Sequence, residues 1–239
     1  MSTFVVSDLH LDPSAPGIAA QFHAFLAGPV RAADALYVLG DLFEAWIGDD
    51  APVHADTIAA LRATADAGVA LYFMHGNRDF LLGERFCRAT GGSLLADPTV
   101  VVAHGQRALL THGDALCTDD TPYQRLRALV RDPVWQDQFR ALSLSQRESL
   151  AAEARAGSRE HTAAQQKMLM DVNPDTVARV FRTADVDVIV HGHTHRPGVY
   201  HHDVDGRDCR RIVTGDWYAQ GSVLRWDERG FDLLTLPRT

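Results

Sequence analysis

The chain has 239 residues, enough for one α/β domain or one domain carrying an insertion and too few for two independent full-sized domains. Its 23 basic residues against 31 acidic ones leave a formal charge of −8, so no overall cationic field exists to hold a polyanion, and nucleic acid is not an expected partner. With 46 % hydrophobic and 23 % charged residues, and no apolar run of the roughly 18–20 residues that span a bilayer, the composition is that of an ordinary globular chain, neither disordered nor membrane-integral.

From Met1 the chain passes almost directly into a strand-like stretch, without the basic and then apolar pattern of an export leader, which predicts a protein that is not exported. Three cysteines, Cys87, Cys117 and Cys209, form no CxxC pair and argue against a disulfide framework or a zinc ribbon; a reducing cytosol is the expected compartment. Apolar runs at 4–6, 36–39 and 69–74 read as strands buried on both faces, with helices over 18–26 and 58–67 between them. Further strands are expected at 100–102, 108–111, 186–190, 212–214, 222–226 and 231–236. The predicted fold is an α/β layered β-sandwich flanked by helices.

One segment interrupts this alternation. Over 121–170 no strand-like run occurs, and Leu126, Leu129, Val130, Trp135, Phe139 and Leu142 recur at the three- and four-residue spacing of amphipathic helices. Ser145-Gln-Arg-Glu148 reads as a capping box, and Asn173-Pro174 as the start of the helix after the insertion. The expected organisation is therefore a core of 1–120 and 171–239 with a helical cap, 121–170, over a site built from loops.

The chemistry lies at the strand ends. The first strand leads into Asp8-x-His10, the second into Gly40-Asp41, the third into Gly76-Asn77-Arg78-Asp79, a later one into Thr111-His112-Gly113-Asp114, and residues 186–190 into His191-Gly192-His193-Thr194-His195. Taken singly, a Gly-Asp after a strand is an ordinary turn and an Asp-x-His occurs by chance. Taken together, five strand ends deliver carboxylate, imidazole and amide groups to one sheet edge, where open α/β sheets collect ligands. Such mixed O and N donors suit Mn²⁺, Fe²⁺ or Zn²⁺. Seven candidate ligands, Asp8, His10, Asp41, Asn77, His112, His193 and His195, exceed the needs of one ion. Two ions, and metal-assisted hydrolysis of a phosphoester or phosphoanhydride, are the expected chemistry. His23, His54, His161, His201 and His202 lack such a setting and read as ordinary; His75 and His104 are given no role.

These motifs resemble the calcineurin-like metallophosphoesterase superfamily over nearly the whole chain outside the insertion. GDLFEAWIGDD at 40–50, together with Gly76-Asn77-Arg78-Asp79-Phe80 and His191 to Pro197, is similar to the branch that hydrolyses UDP-2,3-diacylglucosamine in lipid A synthesis. The resemblance implies two Mn²⁺ ions, one held by Asp8, His10, Asp41 and His195 and the other by Asp41, Asn77, His112 and His193, with Asp41 as the bridge. It implies Asp41, Asn77, Arg78 and His112 as catalytic residues. Where most relatives carry a histidine after Gly-Asn, this chain carries Arg78, which cannot protonate a leaving group but can stabilise phosphoryl charge. That suits a phosphate leaving group, which departs without a proton. Asp120, Ser158 and Thr162 are implied substrate contacts beside Asn77, Arg78 and His193. The family's lysine position falls on Gln165, and the only lysine, Lys167, lies two residues on; both are substrate-facing candidates. The implied setting is a Gram-negative cytoplasm, peripheral on the inner membrane, with a lipid-linked nucleotide sugar as partner and no obligate protein partner. The residues alone leave open a metallophosphoesterase acting on a soluble nucleotide or a phosphoprotein, and a metal-free binding scaffold.

Overall fold

The computed structural model describes residues 2–164 and 171–238, the side chains of 157–164 lying outside that description. In chain order the strands are β1 (Thr3–Val6), β2 (Ala35–Val38), β3 (Ala70–Phe73), β4 (Ser93–Leu94), β5 (Thr99–Ala103), β6 (Gln106–Leu110), β7 (Val188–His191), β8 (Gly198–Val204), β9 (Arg207–Val213), β10 (Gly221–Asp227) and β11 (Gly230–Leu236). The helices are α1 (Pro16–Ala27), α2 (Ala55–Asp66), α3 (Glu84–Thr90), α4 (Thr121–Val130), α5 (Pro133–Arg140), α6 (Leu144–Ala164) and α7 (Pro174–Ala184).

Every residue of β1 is buried, because its side chains serve two cores. Phe4 and Val6 pack with Phe22 and Phe25 of α1, while Val5 faces the other way among Leu224, Trp226, Leu110 and Val190. Burial on both faces makes such a run continuously apolar. The first sheet has the order β11-β10-β1-β2-β3-β4, with β1 to β4 parallel and β10 and β11 antiparallel. The second has the order β5-β6-β7-β9-β8, parallel across β6, β7 and β9. Between the sheets lies one core; α1, α2 and α3 cover the outside of the first sheet, and α7 places Val177 and Phe181 on the outside of the second. This is the layered α/β sandwich expected from the sequence. Its parallel strands β1, β2, β3, β6 and β7 bring their carboxyl ends to a common edge.

Three elements escape a reading by apolar pattern. β8 is an edge strand whose His201, Asp203 and neighbours are mostly exposed, so it has no hydrophobic signature. β4 is two residues long, and α3 is a seven-residue helix bounded by Gly83 and Gly91. The capping box of α6 is displaced by two residues from the expected Ser145–Glu148. Ser143 and Gln146 make it instead: the Gln146 N–H donates to Ser143 Oγ (3.4 Å), and the Ser143 N–H to Gln146 Oε1 (3.0 Å). Asn173 caps α7 as expected, accepting from the Thr176 N–H at 2.9 Å.

Candidate metal centre

The expected ligands converge at that edge. Asp8 follows β1 and is fully buried; its Oδ1 lies 3.4 Å from His195 Nε2, which in turn lies 3.3 Å from His10 Nε2. Asp41 follows β2 and divides its carboxylate, with Oδ2 3.8 Å from His10 Nε2 and Oδ1 3.9 Å from His112 Nε2. Asn77 Oδ1 stands 3.0 Å from His112 Nε2 and 2.9 Å from His193 Nδ1. Two groups, Asp8-His10-His195 and Asp8-Asp41-His112, bring their ligand atoms close enough to hold an ion each. Asp8 is common to both groups, and Asp41, the shared position expected from the sequence, stands between His10 and His112. His193 joins neither group directly and meets the cluster through Asn77.

The backbone is strained where these ligands sit. Asp8, His10, Asp41, His193 and His195 all adopt positive φ between 50° and 65°, five of the nine non-glycine residues that do so among the described residues. Such conformations persist only where the surroundings impose them, and they gather at functional sites. Two glycines make room: a Cβ on Gly76 would fall 2.0 Å from Asp41 Oδ1, and one on Gly192 2.1 Å from Asp8 Oδ2.

The electrostatics favour positive charge at the centre. Burial opposes charge on His112, yet the carboxylates of Asp41, Asp114, Asp8 and Asp97 outweigh it and hold the imidazole up at about 9. Burial likewise opposes ionisation of Asp8, but the hydrogen bond and charge of His195, with the charges of His112 and His10, hold that carboxyl well below the usual range. Burial and the neighbouring His112 push His193 down to about 4, so its imidazole is neutral. Carboxylate oxygens, neutral imidazole and an amide oxygen around a region that already stabilises cations are a fitting donor set for divalent metal.

Several residues that orient this cluster went unassigned in the sequence reading. Glu44 Oε2 is 3.0 Å from His10 Nδ1, Asp216 Oδ2 is 3.4 Å from His195 Nδ1, and His112 Nδ1–H donates to the Leu39 carbonyl at 2.8 Å. Each leaves Nε2 facing inward, the arrangement that orients ligating histidines. Asp79 is buried and accepts from the N–H groups of Gly76 (2.8 Å), Leu42 (2.8 Å) and Asp41 (3.2 Å), tying the loops after β2 and β3 together. Burial and the Asp41 charge push its carboxyl up to about 6. Asp79 closes the Gly-Asn-Arg-Asp motif, and Gly215-Asp216 follows β9 as Gly40-Asp41 follows β2, so both signals were present and went unused.

Helices α4, α5 and α6 lie beside the cluster and enclose a cavity of about 400 Å³ with it. Its wall is mainly apolar, including Trp46, Phe80, Leu126, Val130, Trp135 and Phe139, and it opens onto Asn77 and Arg78. Leu129 is half exposed and takes no part, whereas Phe139 is 8 % exposed and also belongs to the main core, stacked on Trp135 at 5.2 Å. The helices are fastened by buried Asp114, which accepts from Tyr123 Oη–H (2.9 Å) and Arg127 Nε (2.8 Å), and by Arg131, which donates to the Gly76 carbonyl (3.1 Å). Tyr123 leans on His193, with ring centroids 5.6 Å apart. Asp120 is not in the cavity wall; its side chain caps α4, accepting the Tyr123 N–H at 3.0 Å. Gln165 and Lys167 lie outside the described residues, as do the side chains of Ser158 and Thr162.

Residues 1–197 match the family described as Calcineurin-like phosphoesterase. The chain belongs to that family. A dinuclear metal site is a property of these phosphoesterases, and the Asp/His cluster here is able to hold metal. The calcineurin-like fold extends along the whole chain: an archaeal phosphodiesterase of solved structure superposes with a TM-score of 0.51 at 13 % identity, covering 99 % of this chain and all of that one. Relatives named UDP-2,3-diacylglucosamine hydrolase include one from Xanthomonas oryzae pv. oryzae (strain PXO99A), 51 % identical over 242 aligned residues and 98 % of both chains. Another, from Stenotrophomonas maltophilia (strain K279a), is 50 % identical over the full length of both. A third, from Enterobacter sp. (strain 638), is 47 % identical over 99 % of this chain and all of its own.

Proposed function

We propose that this phosphoesterase hydrolyses the diphosphate of UDP-2,3-diacylglucosamine to UMP and 2,3-diacylglucosamine 1-phosphate (lipid X), a step of lipid A synthesis. The observation that carries the reading is the apolar cavity opening onto Asn77 and Arg78 beside the Asp/His cluster. A diphosphate bearing acyl chains uses both halves of that site; a soluble nucleotide or a phosphoprotein leaves the apolar half idle. The full-length likeness to chains of that name supports it.

Two Mn²⁺ ions are the cofactor in this reading, one with Asp8, His10, Asp41 and His195 and one with Asp41, Asn77, His112 and His193. Bound there, they supply an activated water nucleophile and neutralise phosphoryl charge. The chain's own residues do the rest. Asp79, Glu44 and Asp216 keep the ligating groups in place. Arg78, whose backbone N–H donates to Asp41 Oδ1 at 2.8 Å, lines the cavity, and its guanidinium stabilises charge on the phosphoryl oxygens. Attack falls on the phosphorus next to uridine, and the lipid phosphate leaves as a stable anion that needs no acid.

Residues 121–170 act as the cap over a core of 1–120 and 171–239, with Asp120, Ser158, Thr162, Gln165 and Lys167 as its headgroup contacts. No described helix is long and apolar enough to cross a membrane, and the cap exposes Leu126, Leu129 and Val134 at 52 %, 51 % and 64 %. That pattern supports peripheral binding to the cytoplasmic face of the inner membrane. The test is incubation of purified protein and Mn²⁺ with UDP-2,3-diacylglucosamine in mixed micelles, then mass spectrometry of the products. Equal amounts of UMP and lipid X are expected. Intact substrate alongside turnover of a soluble nucleotide would overturn the reading.

A further inference from the structure

The substrate of the proposed reaction has two chemically opposite ends, and the cavity under α4–α6 suits only one of them. In the reading above its mainly apolar wall takes the acyl chains, which leaves the nucleoside to be placed outside it. On the cap side the cluster is flanked by Tyr123, which leans on His193. Beyond the other pair of imidazoles stands Tyr218, which takes no part in the cavity wall. Its ring lies parallel to His10, with centroids 5.4 Å apart and planes 13° apart, and edge-on to His195 at 6.1 Å.

Tyr218 is 50 % exposed but held firmly. Its backbone N–H donates to Asp216 Oδ1 at 3.1 Å, and the preceding Trp217 is fully buried against Phe22 and Phe25. Among the described residues its ring contacts are with His10 and His195, and the exposed half of the side chain is open to solvent. An aromatic ring half open to solvent on a held backbone, next to a phosphoryl site, is the element that binds nucleobases by stacking; the contact needs no donor or acceptor pattern.

We propose that Tyr218 is the stacking platform for the pyrimidine base of the substrate nucleotide. The substrate then lies across the cluster, its base on Tyr218, its diphosphate over the Asp/His groups and Arg78, and its acyl chains under α4–α6. This placement rests on the diphosphatase reading above.

The test measures inhibition of bis(p-nitrophenyl) phosphate hydrolysis by UMP and by ribose 5-phosphate, which lacks the base. The native protein should bind UMP roughly five- to 150-fold more tightly, the range of one stacked base. Tyr218→Ala should bring that ratio close to one, and Tyr218→Trp should preserve it. A ratio near one in the native protein, or an unchanged ratio in Tyr218→Ala, would overturn the assignment. Should Tyr218→Ala lose metal, Tyr218→Leu decides instead, since it still covers His10: a collapsed ratio supports the platform and a preserved one refutes it. The reporter diester contains neither lipid nor uridine, so failure to cleave UDP-2,3-diacylglucosamine would count against the diphosphatase reading and leave the base ratio interpretable.

Discussion

The buried guanidinium of Arg147 ties helix α6 to the core, and removing it should separate lipid binding from chemistry. Arg147, 3 % exposed, donates from Nη1 to the Ile47 carbonyl (2.7 Å) and Asp50 Oδ1 (2.8 Å) and from Nη2 to Asp50 Oδ2 (2.5 Å). Asp50 is 53 % exposed, so the ion pair is screened and contributes at most about 1 kcal/mol. The bond from the buried guanidinium to the carbonyl adds about 1–2 kcal/mol. Arg147→Ala should therefore weaken this attachment by about 2–3 kcal/mol, or roughly 30- to 150-fold if all of it appears in substrate affinity. Leu150, Ala151 and Arg155 of the same helix line the cavity, so KM for the lipid substrate should rise while metal content and hydrolysis of bis(p-nitrophenyl) phosphate stay near native. Arg147→Lys should recover only part of the loss, because an ammonium cannot span both Asp50 oxygens and the carbonyl. Steady-state kinetics on both substrates, with urea denaturation alongside, provide the measurement. A lower urea midpoint with unchanged KM, or equal losses on both substrates, would refute the reasoning.

Asp41→Ala should abolish turnover and lower the metal content of both sites, whereas His195→Ala should deplete chiefly one; chelation should silence the native protein and Mn²⁺ restore it, read by metal analysis with activity. Arg78→Ala should cost about 3–4 kcal/mol of transition-state stabilisation, a drop of a few orders of magnitude in kcat, and Arg78→Lys should recover part; full rescue by Arg78→His with a new pH dependence would instead mark the position as a proton donor. Leu126→Asp, at a half-exposed point of the cavity wall, should reduce kcat/KM for the lipid at least tenfold more than for the small diester, whereas Phe139→Asp would also unfold part of the core to which Phe139 belongs. His191, pushed down to about 3 by burial and by the charge of Arg211, which lies 3.0 Å away, is neutral when folded. Its unfolded form titrates near 6.5, so the unfolded chain binds more protons between those values, and this stability is complete above about pH 6.5 and lost as pH falls toward 3. The loss is of the order of 5 kcal/mol, and His191→Gln should flatten that part of the urea-midpoint profile.

The metal-facing residues were legible because the fold gives them a pattern. Each comes after a buried strand, and buried strands announce themselves as apolar runs; Asp8, Asp41, Asn77, His112 and His195 could be placed at one edge from the sequence alone. Asp79 and Asp216, which hold them, also stand in loops after strands, but what each one touches was not legible, for a physical reason. Asp216 acts on His195 across 21 residues of chain, and Asp79 acts through backbone N–H groups whose partners no side-chain pattern reveals. The helical character of α4–α6 could be read from the periodicity. Their attachment could not, since Asp114 with Arg127, and Asp50 with Arg147, are pairs that only the tertiary fold brings together.

The GDLFEAWIGDD stretch shows why some motifs specify more than a metal site. Asp41 faces the histidines, Glu44 orients His10, and Trp46 Nε1–H donates to Asp49 Oδ1 at 3.0 Å. Asp49 accepts the N–H groups of Gly83 (3.0 Å) and Phe86 (2.9 Å) at the start of α3, and Asp50 takes Arg147 of α6. One loop thus joins a ligand, its orienting carboxylate, a core helix and the cap. Gly76 has a similar position on the opposite loop: its missing Cβ admits Asp41, its N–H is held by Asp79 and its carbonyl by Arg131, the C-cap of α4. The two attachments of the cap therefore differ. Helix α4 pulls on backbone in contact with Asp41 and next to Asn77, whereas Arg147 of α6 grips the far end of its loop, where Asp49 has already pinned the chain to α3. Removing Arg131 should change lipid affinity and metal geometry together; removing Arg147 should change lipid affinity alone.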